Sequence, residues 1–194
     1  GDTTDRDIPT RVGVASDWVQ VAGRGYHSLA INSSGELYAW GYNFYGQLGL
    51  GDTTGRKTPT RVGSSTDWAR VVCGEDHSLA INSSGELYAW GNNSNGQLGL
   101  GDITGRKTPT RVGSSTDWTN ISAGNRYSLA INSSGELYVC GNNSNGQLGL
   151  GDNDLRLTMT MIGASTDWAR VVCGRDHSLA INSSGELYAW GYNF

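Results

Sequence analysis

The chain has 194 residues, 16% of them charged, with 29 Gly, a net charge of −4 and a pI near 5.2. That balance argues against a nucleic-acid or anionic-membrane partner, either of which wants a basic stripe. No apolar run approaches the roughly 20 residues of a membrane-spanning helix, and the N-terminus lacks a signal-peptide pattern, which leaves the cell compartment unassigned.

The segment Ser-Leu-Ala-Ile-Asn-Ser-Ser-Gly-Glu-Leu-Tyr occurs at Ser28–Tyr38, Ser78–Tyr88, Ser128–Tyr138 and Ser178–Tyr188, always 50 residues apart. A period of this length marks an array of one supersecondary unit. Residues identical in every copy build the unit, and function is to be sought where the copies differ.

In chain order, Ile8-Pro9-Thr10-Arg11-Val12 is a short extended run whose proline confines it to a sheet edge or a strand start. The second copy shows the full unit. Thr58–Val62 is the same edge run, Gly63–Asp67 a turn cluster, and Trp68–Cys73 an alternating strand. Gly74-Glu-Asp76 turns the chain into His77–Ile81, which carries Leu79 and Ile81 on one face. Asn82-Ser-Ser-Gly85 is a hairpin loop, with Gly placed for positive φ. Glu86–Trp90 closes the meander, and a Gly/Asn-rich loop from Gly91 to Asp102 leads to the next copy. Four short antiparallel strands per 50 residues with no helical period predict an all-β chain of β-propeller blades.

The string Gly74-x-x-His77-Ser-Leu-Ala, then Gly85-Glu-Leu-Tyr-Ala-Trp90-Gly91-x-Asn93, then Gly96-Gln-Leu-Gly-Leu-Gly101, together with Pro59-x-x-Val62, resembles the repeat of the regulator of chromosome condensation family. The Trp-Gly-x-Asn-x-x-Gly-Gln-Leu-Gly core recurs at Trp40 and Trp90, and Cys140 replaces the Trp in the third copy. The resemblance covers essentially the whole chain. It implies a propeller, usually of seven blades, that serves as a binding module. It also implies partners such as a small GTPase, chromatin or, in a secreted bacterial case, a β-lactamase.

These readings make residues 1–194 one array, with an N-terminal strand at 8–12 and blades at about 17–62, 67–112, 117–162 and 167–194. The last blade lacks its outer strand, and Ile8–Val12 is such a strand at the other end. A head-to-tail homodimer exchanging terminal strands would close eight blades and leave no open edge. A piece of a longer array and a four-bladed monomer remain alternatives.

Residues that resemble catalytic or metal-binding groups have simpler readings. His27, His77 and His177 recur at one strand start, where the third copy has Tyr127, and read as half-buried histidines bonded to a neighbouring loop. No nucleophile, base and orienting group come together, which predicts a non-catalytic chain without a cofactor. Glu36, Glu86, Glu136 and Glu186 are hairpin residues expected to face solvent. Cys73, Cys140 and Cys173 read as small core filler rather than a disulfide or metal set. Asp17, Asp67, Asp117 and Asp167 read as turn acceptors, and the loops at Asp52, Asp102 and Asp152 are too poor in ligands for calcium.

The divergent positions are the partner-binding candidates. Tyr26, Glu75, Asp76, Asn125, Arg126, Arg175 and Asp176 lie in the turns between the first and second strands. Tyr42, Phe44 and Tyr45 lie in the long loop of the first copy, and Tyr192 and Phe194 occupy the matching places at the end. Such loops on a rigid scaffold suit a protein contact at one face. Packing between blades or across a junction of chains is the alternative for the aromatics. At the level of function, a self-assembling symmetric or engineered repeat with no ligand, and a carbohydrate-binding propeller, remain alternatives.

Overall fold

The computed structural model describes residues 1–193, and every regular element in it is a strand. The first sheet holds β1 (Trp18–Arg24), β2 (His27–Asn32), β3 (Leu37–Gly41) and β4 (Arg56–Arg61), hydrogen-bonded in that order. The second holds β5 (Trp68–Cys73), β6 (His77–Asn82), β7 (Leu87–Gly91) and β8 (Arg106–Arg111). The third repeats the meander with β9 (Trp118–Ala123), β10 (Tyr127–Asn132), β11 (Leu137–Gly141) and β12 (Arg156–Met161). Among the described residues, the fourth holds β13 (Trp168–Cys173), β14 (His177–Asn182) and β15 (Leu187–Gly191). All pairs are antiparallel. The chain is an all-β array of propeller blades, as the period predicts.

The hairpin in each blade is set by its Asn and Gly. Asn82 Oδ1 accepts from the Ser84 and Glu86 amides at 3.1 and 2.9 Å, and Gly85 takes φ +75°. The following glutamate does not simply face water. Glu86 accepts from the Tyr88 hydroxyl and the Asn82 amide and pairs with Arg111 of β8 at 2.9 Å, which holds its carboxyl below the usual range. It clamps the hairpin to the outer strand of its own blade. The prolines Pro59 and Pro109 sit in β4 and β8, the sheet edges, where a missing N–H leaves no ladder bond unmade.

Blades pack face to face in succession. β1 and β2 lie against β5, β5 and β6 against β9, and β9 and β10 against β13. Between the second and third blades, Leu79, Ile81, Leu87 and Ala89 meet Trp118, Ile121, Ala123 and Ala130. This interface occurs three times within the chain. The third blade varies it in a compensated way. A Cβ on Gly49 would touch Trp90 and Pro109, whereas one on Gly99 would touch Cys140 and Met159. The loss of the indole at Cys140 is thus matched by a long, flexible Met159 where the other copy has proline.

The N-terminal residues form no strand. Asp2 bonds the Thr4 amide and pairs with Arg6 at 2.7 Å, repeating the Asp52, Thr54 and Arg56 cluster. Ile8–Val12 follows as an exposed segment outside any sheet. Thr10 Oγ1 nevertheless donates to the Ile8 carbonyl at 3.1 Å, the contact Thr60 makes with Thr58 inside β4.

Candidate interaction surfaces

The buried histidines belong to the joints between blades. His27 Nε2 lies 2.8 Å from Ser78 Oγ of the second blade, and His77 Nε2 lies 2.9 Å from Ser128 Oγ of the third. The expected loop partner is therefore a serine on the next sheet. Ser78 Oγ donates to the Gln47 carbonyl at 2.8 Å, and Ser128 Oγ donates to that of Gln97 at 2.7 Å. Each serine oxygen must then accept from the imidazole, so the proton sits on Nε2. That leaves Nδ1 of both rings buried without a partner. Burial lowers the His27 pKa to about 4, and burial with the nearby His27 and Arg24 lowers that of His77 to about 3. In the third blade the Tyr127 hydroxyl fills this place, 3.3 Å from Ser178 Oγ, and donates to the His177 carbonyl, while Ser178 Oγ donates to the Gln147 carbonyl at 2.8 Å.

The two outer sheets each expose half of this joint. On the fourth blade, Leu187 is 68% exposed where Leu87 is 1%. Val172, Leu179, Ile181 and Ala189 are uncovered beside it, and His177 points out on the same face. On the first blade, Val21 is 72% exposed where Val71 is 2%, and Gly23 is uncovered where Cys73 is buried. These strand faces correspond to those that meet in the three internal interfaces, where Leu48, Leu98 and Leu148 of the long loops join them.

The divergent turns come together on one face. Tyr26, Tyr42, Phe44 and Tyr45 form a chain of rings, with centroids 6.2, 6.3 and 5.0 Å apart in turn. Tyr26 is 74% exposed and Phe44 63%. Glu75 and Asn125 are stitched into neighbouring blades through their amides, which donate to the carbonyls of Gly124 and Arg175 at 3.1 Å. Asp76 is half-buried and its pKa is raised by burial and by Glu75. Arg126 is exposed, and Arg175 lies 3.6 Å from Asp176. Tyr192 is exposed on the fourth blade, and Phe194 lies outside the described residues.

Sequence reasoning missed Arg24. Its guanidinium leaves the innermost strand of the first blade and donates to the carbonyls of Ala123, Cys173 and Gly174, at 3.1, 2.9 and 2.8 Å. It ties the first blade to the third and fourth across the axis of the array. The available signal was an Arg where the other copies have Gly74, Gly124 and Gly174. The cysteines are free and buried, and burial pushes each thiol up to about 12. Among the described residues, no group of three His, Cys, Asp or Glu is placed to hold a metal.

The family profile described as "RCC1-like domain" matches residues 1–163, and that of the "Regulator of chromosome condensation (RCC1) repeat" matches residues 168–194. Human probable E3 ubiquitin-protein ligase HERC4 is 50% identical over 46 residues, 23% of this chain and 4% of that protein. The ultraviolet-B receptor UVR8 of Arabidopsis thaliana is 40% identical over 53 residues, 26% of this chain and 12% of the receptor. Two solved structures of yeast Prp20 superpose with TM-scores of 0.84 and 0.83 at 25% identity. They cover 93% and 95% of this chain, which spans 45% and 48% of theirs. In one, Prp20 is bound to Kap60, and the other concerns its binding to Gsp1p and histones. With a profile match over most of its length, a superposition on Prp20 over 93% of its residues and the repeat's Gly, His, Asn and Trp in place, this chain belongs to the regulator of chromosome condensation (RCC1) repeat family of β-propellers.

Proposed function

We propose that this chain is a non-catalytic, protein-binding propeller module that closes head to tail with a second copy into an eight-bladed ring. One observation carries the closure: the uncovered strand faces of the first and fourth blades match the strand faces that meet in the three interfaces within the chain, each of which also holds a long-loop leucine (Leu48, Leu98, Leu148). Burying a Leu or Ile side chain contributes about 1.5–3 kcal/mol, so Leu179, Ile181 and Leu187 give the contact a strong apolar drive. Ile8–Val12 of one copy would add beside β15 of the other. There Arg11 would face Glu186 as Arg61 faces Glu36, at 3.0 Å in the first blade. A head-to-tail contact either closes or grows into filaments, so size tests it directly. Sedimentation should give a discrete species of twice the 20.7 kDa chain mass. A monomer at all concentrations, or open-ended polymers, would sink the ring.

The binding face is the turn cluster around Tyr26, Tyr42, Phe44 and Tyr45. Contiguous exposed aromatics on a rigid scaffold are the usual anchors of a protein contact. Blades two and three place Asn92, Ser94, Asn95 and Asn142, Ser144, Asn145 at the long-loop positions, so the scaffold tolerates polar side chains there. Changing Tyr42, Phe44 and Tyr45 to Ser should leave the melting temperature within a few degrees and weaken capture of a partner protein at least about 30-fold, at about 2 kcal/mol for a hot spot. Equal capture by the variant would reject this face, and a glycan-array signal lost with the same residues would favour the carbohydrate reading.

A further inference from the structure

We infer that the protein partner presents an arginine side chain to this face, held between the aromatic row of the first blade and the carboxylates of the next turn. This rests on the reading above of that face as a protein contact. Glu75 and Asp76 form the turn of the second blade that lies against the row. A Cβ on Gly25, the neighbour of Tyr26, would run into the Glu75 carbonyl. On the other side, the buried Gln47 spans the two elements. Its Oε1 accepts from the Tyr45 amide at 3.0 Å, and its Nε2 lies 3.5 Å from Asp76 Oδ1. The acidic turn is therefore wedged between the turn at Tyr26 and the loop at Tyr45, and rings and carboxylates make one surface.

Among the described residues, neither carboxylate is ion-paired with an Arg or Lys. Burial and Glu75 raise the Asp76 pKa, and Arg126 on the following turn offsets them only in part, so the turn favours a cation from outside. The other cations of this end are engaged: Arg24 is turned to the axis and bonded to three carbonyls, and Arg175 lies beside Asp176. The rings supply what a flat cation needs next to a carboxylate. Tyr42 and Phe44 are nearly parallel, at 13°, and an aromatic face attracts a cation within about 6 Å of its centroid. A guanidinium is planar, stacks on such faces and bonds a carboxylate through two N–H groups at once, whereas an ammonium is a compact, strongly hydrated point charge. The combination occurs once in the chain, because the turns at Arg126 and Arg175 adjoin long loops that carry Asn and Ser in place of the rings.

Fluorescence anisotropy on the full chain tests this with labelled hexapeptides of alternating Gly and Arg, and with their citrulline, Lys, Glu and Phe counterparts. The Arg peptide should bind at least about tenfold more tightly than the citrulline and Glu peptides, and about threefold more tightly than the Lys peptide. Changing Tyr42, Phe44 and Tyr45 to Ser should weaken it at least about tenfold. Glu75→Gln together with Asp76→Asn should weaken it about fivefold and flatten its dependence on salt. The third blade has Asn125 and Arg126 at those two places, so the scaffold accepts the loss of both acids, and circular dichroism checks the fold of each variant. Equal binding of the Arg and citrulline peptides, or an acid-free variant that binds as the wild type does, overturns the arginine assignment. A Phe or Glu peptide bound instead, and lost with the three aromatics, overturns it too but leaves the face a protein contact. Arg-peptide binding that survives loss of the aromatics places the cation site elsewhere and overturns the inference. Failure of every peptide to bind also overturns it, and a change in sedimentation of the aromatic variant would then give the face to a second copy.

Discussion

Replacing Gly85 with Ala is expected to destabilise the chain by roughly 2–5 kcal/mol, whereas Gly185→Ala at the matching place costs only about 1–2 kcal/mol in the single chain. Both glycines hold the left-handed hairpin position, at φ +75° and +82°, so both variants carry the same local strain. The difference lies in the neighbour. A Cβ on Gly85 would drive into the Thr116 carbonyl of the next blade, as one on Gly35 or Gly135 would meet Thr66 or Thr166. Nothing lies within 4 Å of a Cβ on Gly185. Urea unfolding of the two variants at a concentration where the chain is monomeric measures the gap directly. The same substitution reports on assembly, because closure would bring the turn around Ser16 of a second copy onto Gly185. Gly185→Ala should therefore spare the fold and weaken the dimer. Equal losses for the two variants would refute the claim that interblade contact, rather than turn geometry, makes these glycines obligatory.

Stability should fall steeply on acidification between about pH 6.5 and pH 4, before most carboxylates titrate. His27 and His77 have folded values depressed to about 4 and about 3, against an ordinary imidazole near 6.5. Between those limits the unfolded chain binds protons that the folded one refuses. Stability therefore rises with pH across this window and is lost as pH falls, by about 1.4 kcal/mol per pH unit for each histidine. Below it the carboxylates add to the loss. Asp52, Asp102 and Asp152 are held low by their arginines and turn amides, and that stabilisation disappears once they protonate. Chemical unfolding at intervals from pH 7.5 to 4 reads the slope. His77→Tyr, copying the third blade, should remove about half of it. An unchanged slope in that variant would place the acid sensitivity elsewhere.

Blade architecture was legible because it depends on local chemistry that recurs. Alternation in Trp68–Cys73, the Asn82-to-Gly85 hairpin and the edge proline at Pro59 each have a local cause, and repetition multiplied the signal. The joints were less legible. The partner of His27 and of His77 is a serine 51 residues away on the next sheet rather than the neighbouring loop that the sequence suggests. Glu86 looked solvent-facing because Arg111, 25 residues on, gives no sign in sequence that it will cross to the hairpin. Arg24 was missed because its three acceptors are backbone carbonyls, which no sequence distinguishes.

By itself, then, the sequence determined the unit: a four-stranded meander, its turns, its family and the positions at which its copies differ. Hydrogen-bond periodicity and turn propensity act over a few residues, so one copy suffices to specify them. Which faces stay open, which histidine is uncovered and which four aromatics form one patch were decided only by the tertiary structure. Those properties depend on the rotation from blade to blade and on which sheet lacks a neighbour, and packing across a distance of 50 residues or more sets both.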